Sequence, residues 1–350
     1  MMHKRFRLLF FAVSALSVQL AKACDVCGCY MPDPGALSPT MSPNGGAQAS
    51  WITNAYFAIA EQFTHFGTLQ FAGDEVANPT GQYLDSSITQ LVAGYNFTSR
   101  FALQLNVPLI YRSFERPEGF TIDRGSESGL GDVSLLANVL VYAHQWGGRR
   151  GVDFSDPKTP IVVTHDFGSA VAISLVDGLK FPTGGTSRLK EEFNEIAIPG
   201  APESGIHGHD LTLGSGSFDG IFGLQTSLRH QRFFFDAAVQ YTLRSEGAHQ
   251  YEFADDVTWD GGPGVYLIQN ERAKVGLQFV VSGEHKGHDE FRGERTEDTA
   301  IAIVAVGPRV VASLGRFNGE LGVELPVSID NSALQVVPDY RIRAAVSVRF

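Results

Sequence analysis

Several things are scarce in this chain of 350 residues, and each scarcity excludes a class of protein. Cysteine occurs three times, at Cys24, Cys27 and Cys29, so no disulfide framework can staple the body of the molecule. Charged residues make up 19%, below the roughly 25% of an ordinary soluble domain. An apolar run from Leu8 to Val18 is too short to span a bilayer, and no later stretch approaches the ~18 apolar residues of a spanning helix. Helical membrane spans are therefore excluded. Basic residues are also few: 27 Lys and Arg stand against 38 Asp and Glu. Nucleic acid is an unsuitable partner for such a surface, because phosphate contacts need clustered Lys and Arg.

What is present begins with an export signal. Lys4, Arg5 and Arg7 precede the Leu8–Val18 run, and Ala21-Lys22-Ala23 supplies small residues at −3 and −1. This reads as a secretory signal peptide over 1–23, cleaved after Ala23. Its removal takes four bases and no acids, leaving a mature charge of about −15. Residues 24–50 hold the three cysteines and then a stretch from Tyr30 to Ser50 rich in Pro, Gly and Ser, which reads as a linker.

From Trp51 the pattern changes to segments of alternating apolar and polar residues without helical spacing. In the last segment Tyr340, Ile342, Ala344, Val346, Val348 and Phe350 share one parity, while Arg341, Arg343 and Arg349 share the other. Successive side chains of a strand point to opposite faces, so one face is apolar and the other basic. The segments 101–112, 233–244 and 318–330 behave alike. A soluble sandwich and a membrane barrel both alternate in this way; loop length separates them.

Twelve strands are expected, near 51–63, 86–97, 101–113, 131–146, 164–181, 211–228, 233–245, 261–269, 274–284, 299–313, 317–328 and 338–350. Short connections (98–100, 229–232, 270–273 and 314–316) alternate with long polar ones (64–85, 114–130, 182–210, 246–260, 285–298 and 329–337). The connection 147–163 belongs to the short set yet is long, and is expected to fold back on itself. Short periplasmic turns and long outer loops characterise outer-membrane barrels. In hydrocarbon no water satisfies an exposed N–H or C=O, so the sheet must close. The expected fold is all-β: a closed antiparallel transmembrane β-barrel of 12 strands over 51–350, in the outer membrane of a Gram-negative-type bacterium. Aromatic girdles are expected from Phe97, Phe101, Phe233 and Phe350 below, and from Tyr111, Phe114, Phe181 and Tyr340 above. Pro108, Pro182 and Pro326 lack a ladder donor and should mark bulges or bends.

Tyr95-Asn96-Phe97-Thr98-Ser99-Arg100-Phe101, Asn106-Val107-Pro108-Leu109, Gly129-Leu130-Gly131-Asp132, Gly178-Leu179-Lys180-Phe181-Pro182-Thr183-Gly184, Leu213-Gly214-Ser215-Gly216-Ser217-Phe218-Asp219 and the closing Asp339–Phe350 occur in order. Together they resemble the transporter-like outer-membrane barrel family labelled after the meta-pathway of phenol degradation. The resemblance spans most of 51–350. It implies a barrel that passes small organic molecules, and supplies no catalytic residues. The terminal Phe350 on an alternating strand also resembles the C-terminal signature of outer-membrane barrels, which implies the barrel-assembly machinery as a partner, alongside outer-membrane lipid and a small-molecule solute.

Parity places Asp236, Arg244, Lys274, Gln278, Glu284, Glu320, Glu324, Arg341, Arg343 and Arg349 toward the lumen. Buried charge needs water or ion pairing, and twelve strands lie between a filled eight-stranded barrel and an open channel of ~16 strands. A narrow, selective or plugged conduit and a purely structural, salt-bridged barrel both satisfy this. Cys24-Asp25-Val26-Cys27-Gly28-Cys29 admits a disulfide, a Cu(I) or Zn²⁺ site, or lipidation of Cys24. A metal-handling protein is accordingly the alternative function, with His207 and His209 as further candidate ligands and solvated polar loops as the plain reading of both histidines. No resident cofactor is otherwise implied. His65, His144, His165 and His230 belong to no recognisable Ser/His constellation, so no enzyme is expected.

Overall fold

A computed structural model describes residues 54–147, 149–153, 161–166, 168–194, 198–270 and 272–350. The expected signal peptide and the segment carrying Cys24, Cys27 and Cys29 lie outside the described residues.

The described residues form a barrel of twelve strands: β1 (Ala55–Phe71), β2 (Tyr83–Asn96), β3 (Phe101–Glu118), β4 (Ser134–Trp146), β5 (Ser169–Lys180), β6 (Asp219–His230), β7 (Phe233–Leu243), β8 (Asp256–Gln269), β9 (Ala273–Lys286), β10 (Ile301–Leu314), β11 (Phe317–Asn331) and β12 (Leu334–Arg349). Each pairs antiparallel with the next in sequence, and β12 returns to β1 from Tyr56↔Arg349 to Phe71↔Leu334. Closure leaves the barrel without an open edge, as a sheet in hydrocarbon requires.

Alternation decides which face is which. On β1, Tyr56, Ala58, Ala60, Gln62 and Thr64 are buried, while Phe57 and Ile59 are exposed. The same split runs round the barrel: Phe233 is 65% exposed and Val346 61%, although both are large and apolar. An exposed apolar belt on a closed wall is stable only against lipid, which places the barrel in an outer membrane. Phe57 and Phe350 meet edge-to-face at 5.9 Å at the short-turn end, and Phe97 lies 5.8 Å from Phe101. Polar residues interrupt the belt in places: outward-facing Glu61 accepts hydrogen bonds from Ser87 and, at 2.5 Å, from Thr89, and Asp177 stands exposed between Leu175 and Leu179.

Four short connections fall where alternation placed them, within 97–100, 231–232, 270–272 and 315–316. The long 147–168 connection does fold back, pairing Arg149–Asp153 with Ile161–Asp166. Other expectations are corrected. The long loop assigned to 329–337 is a tight turn between Asn331 and Leu334, with Ala333 at φ 48°. Pro326 and Pro338 break the alternation there, but the ladders absorb them as bulges, near Ala305 of β10 and near Phe66 of β1. Residues 211–218 are not strand; they belong to the outer loop, and β6 begins at Asp219. Pro108 marks no bulge. It stands where β3 exchanges its partner β4 for a hairpin strand, Thr121–Leu130, with its carbonyl accepting from Gly131 N at 2.8 Å. Pro182 follows the end of β5. Phe114 is not a girdle residue: it is 1% exposed and points inward.

Candidate functional site

The interior is divided into a charged and a neutral side. On the charged side, side chains of non-neighbouring strands meet, which only a shared interior permits. Ser282 (β9) donates to Glu324 (β11) at 2.6 Å, Arg309 (β10) reaches Asp260 (β8) at 2.9 Å, and Arg341 (β12) reaches Glu284 (β9) at 3.3 Å. Glu324 lies at the centre. It accepts from Arg343 at 3.2 Å, with Arg309 at 3.6 Å and Arg341 at 3.7 Å. Arg309 also lies 3.8 Å from Glu320, and Arg343 donates to Gln62 at 2.9 Å. Guanidinium forks can serve several carboxylates at once, so the belt compensates charge without needing bulk water at every group.

Across the middle of the barrel, β1 to β6 present neutral groups. Tyr56 donates to Gln104 at 2.8 Å and Gln104 to Asn106 at 2.7 Å. Among these amides sit buried Ile88, Val92, Ile110, Leu136, Val176 and Ile221. At mid-barrel this wall is therefore amphipathic and uncharged, with Arg112, Lys180 and Asp219 above it and Arg229 below.

Above both walls, the described residues of the outer loop 181–218 fold inward as a plug against the barrel wall. Its sequence is polar except for isolated apolar residues, and three of them, Leu189, Ile206 and Leu211, are fully buried. Ile206 and Leu211 pack on inward Phe66, Leu69, Leu84, Phe114 and Val336 from four consecutive strands. Leu189 packs with Tyr251 and Phe253 from the β7–β8 loop. Polar anchors reinforce this: Arg112 donates to the carbonyls of Asp210 (2.6 Å) and Thr212, and Gln82 accepts from Gly205 N at 2.8 Å. Arg116 pairs with Glu191 at 2.6 Å. Below the loop's second half, Lys180 bridges Asp132 (3.1 Å) and Asp219 (2.6 Å), and Arg244 joins Asp219 (3.1 Å) to Asp256. Asp132 also accepts from Ser215 N at 2.8 Å and Gly184 N at 2.8 Å, tying both ends of the loop to the wall.

Titration in this plug is governed by close pairs. Burial pushes the Glu191 carboxyl up, but Arg116 and Arg188 outweigh it and hold the group below its usual range. Burial likewise pushes the His209 imidazole down, yet the Asp210 and Glu192 carboxylates outweigh it and raise the group well above its usual range. His207 lies 3.1 Å from Asp298 and stacks on His209 at 5.5 Å.

The sequence-derived lumen residues are placed as follows. Glu320, Glu324, Arg341 and Arg343 belong to the charged belt, and Arg244 to the knot under the plug. Asp236 faces Ser227 across the β6–β7 ladder. Lys274 and Arg349 stand near the short-turn mouth, Lys274 within electrostatic reach of Arg229 and Arg349 of Tyr56. Sequence reasoning does not single out Arg309, Asp260, Lys180, Asp132 or Asp219, although inward parity on β10 and β8 points to the first two. His207 and His209 are committed to carboxylates, and among the described residues no group of three His, Cys, Asp or Glu is arranged to hold a metal. A Ser169–His230 contact of 2.8 Å exists, with no carboxylate orienting the imidazole among the described residues.

No family model matches the chain, and no curated protein matches it. Solved structures do. The chain is similar to an outer-membrane channel from Pseudomonas putida F1, with TM-score 0.53 and 13% identity over 88% of this chain and 100% of that one. The β domain of the Bordetella autotransporter BrkA follows at TM-score 0.40 and 10% identity, covering 85% of this chain and 100% of that one. The P. putida toluene transporter TodX gives TM-score 0.35 and 9% identity over 92% of this chain and 95% of that one. At 13% identity the likeness to the P. putida F1 protein concerns fold alone, and it agrees with the closed wall and apolar belt: the chain has the architecture of an outer-membrane β-barrel.

Proposed function

We propose that this barrel is a transporter-like outer-membrane channel for small organic solutes with a substantial apolar part. The observation that carries the reading is the divided interior: an amphipathic neutral wall runs beside a charge-compensated one. A solute moving along β1–β6 exchanges water for amides and aliphatic side chains without stripping an ion of its hydration. The resemblance to the phenol-pathway barrels supports the same class of cargo. The inward loop makes the conduit gated rather than open, since its apolar anchors would have to leave Phe66, Leu84 and Phe114 for the mouth to clear.

Liposome flux and planar-bilayer conductance test this with the mature chain. Neutral aromatics are expected to enter faster than sugars of similar size, and a plug-loosened Arg112→Ala variant is expected to conduct more. If neither protein passes ions or solutes, the barrel is structural and the proposal fails.

A further inference from the structure

The short-turn end differs from the rest of this acidic protein. Each of its four tight barrel turns ends in arginine: Arg100, Arg232, Arg272 and Arg316. The four are structurally equivalent. Their carbonyls accept from Leu140 N (2.8 Å), Tyr266 N (2.8 Å), Gly315 N (3.2 Å) and Arg349 N (3.1 Å), each on a neighbouring strand or turn. Each therefore occupies the last ladder position before an upward strand, on the parity opposite to outward-facing Phe101, Phe233 and Phe317. All four are exposed, and none pairs with a carboxylate among the described residues. Glu271, beside Arg272, lies outside them.

Inside this rim, like charges are brought together. Arg229 is the penultimate residue of β6 and Lys274 the second of β9, both on the inward parity, and each is within electrostatic reach of the other. The buried Nε of Arg229 has no hydrogen-bond partner. The inward carboxylates of this half, Asp236 and Glu320, sit deeper, across from Ser227 and beside Arg309. Phe234 stands opposite Arg229 in the β6–β7 ladder and pairs with Tyr266, ring centroids 4.6 Å apart, Tyr266 lying within electrostatic reach of both Arg229 and Asp236. Gly276 and Gly264 give these rings their space: a Cβ on Gly276 would lie 3.0 Å from Phe234, and one on Gly264 would overlap the same ring.

We propose that the short-turn mouth is a binding vestibule for small organic monoanions, namely carboxylates carrying an apolar ring or chain. Arg229 and Lys274 hold the carboxylate, Tyr266 and Phe234 border the apolar body, and the four turn arginines draw the anion toward the opening. Paired cations favour a carboxylate through charge-assisted hydrogen bonds, and an aromatic flank separates an organic acid from a hydrated inorganic ion. The inference deepens the transport reading and rests on it for biological meaning, but binding can be measured without any flux.

Calorimetric titration of the folded mature chain in neutral detergent tests it, with benzoate as probe and benzyl alcohol and inorganic phosphate as comparators. Benzoate is expected to bind at least tenfold more tightly than either. Arg229→Gln/Lys274→Gln is expected to lose at least tenfold of that affinity, and Arg124→Gln, on the outer hairpin, none. Lys274→Gln alone provides the reading if the double variant does not fold. Equal benzoate binding by the variant, or equal binding of benzyl alcohol, overturns the proposal; phosphate binding as well as benzoate overturns the apolar part. Binding without flux in liposomes would refute transport and leave the vestibule standing.

Discussion

Glu324 offers the most direct test of how the interior is held. Its carboxylate, 2% exposed, accepts from Ser282 and Arg343 and lies within 3.7 Å of Arg309 and Arg341. Glu324→Ala leaves three guanidinium groups facing one another, with outer partners that include Asp260, Glu320, Glu284 and Gln62. Removing one partner of a buried pair costs about 3–5 kcal/mol, and the remaining partners here argue for the lower end, about 3 kcal/mol. Urea unfolding in lipid vesicles reads this as a lowered midpoint at unchanged slope. A cycle with Arg343→Ala should return a coupling of about 1–3 kcal/mol, because the two groups touch. The variant interior also gains one positive charge, so any bilayer current should shift toward anion selectivity. A loss below about 1 kcal/mol, within the range of exposed ion pairs, would refute the claim that this belt is a dry, mutually dependent network.

Other outcomes follow from the same geometry. Arg112→Ala removes two charge-assisted hydrogen bonds to the plug, each worth about 1.5–3 kcal/mol; hydrogen exchange in 181–218 should rise steeply while the barrel strands stay protected. The plug should also loosen at both ends of the pH scale. His209, raised when folded, contributes stability that is full below its unfolded value of about 6.5 and lost as pH climbs through the folded value. Glu191, lowered when folded, contributes stability present above about 4.3 and lost as pH falls through its folded value. Exchange rates across pH check this, and His209→Gln should abolish the alkaline arm alone. Glu61→Leu takes a carboxylate out of the lipid-facing belt and should stabilise by about 1 kcal/mol; destabilisation would mean that Glu61 does not face hydrocarbon. Gly283→Val would drive a methyl into the Trp259 ring, which already fills the place of a Cβ at that position, costing about 1–3 kcal/mol with a shift in tryptophan emission.

Much of the barrel is legible in the order of its residues. Parity along Tyr340–Phe350 and Phe233–Arg244 sorts lipid-facing from inward residues because a strand has a period of two and the two faces meet different solvents. That single rule finds twelve strands and the inward charges. It fails where proline breaks the period without breaking the strand, at Pro326 and Pro338, and where a polar loop carries isolated apolar residues that pack elsewhere. Phe114 obeys the rule: it shares the inward parity of Gln104, Asn106 and Arg112 on β3, opposite to Tyr111, so placing it in a girdle runs against the alternation.

The amino-acid sequence by itself determined the class of the protein, its strand count and which side chains turn inward, since these depend on local periodicity and on the cost of unpaired backbone in lipid. Only the tertiary structure decided which inward charges become partners. Arg341 meets Glu284 across three strand steps, Arg309 meets Asp260 past an intervening strand, and loop 181–218 turns into the mouth. Those pairings depend on barrel curvature and strand stagger, which are collective properties of the closed sheet and leave no mark on any one segment.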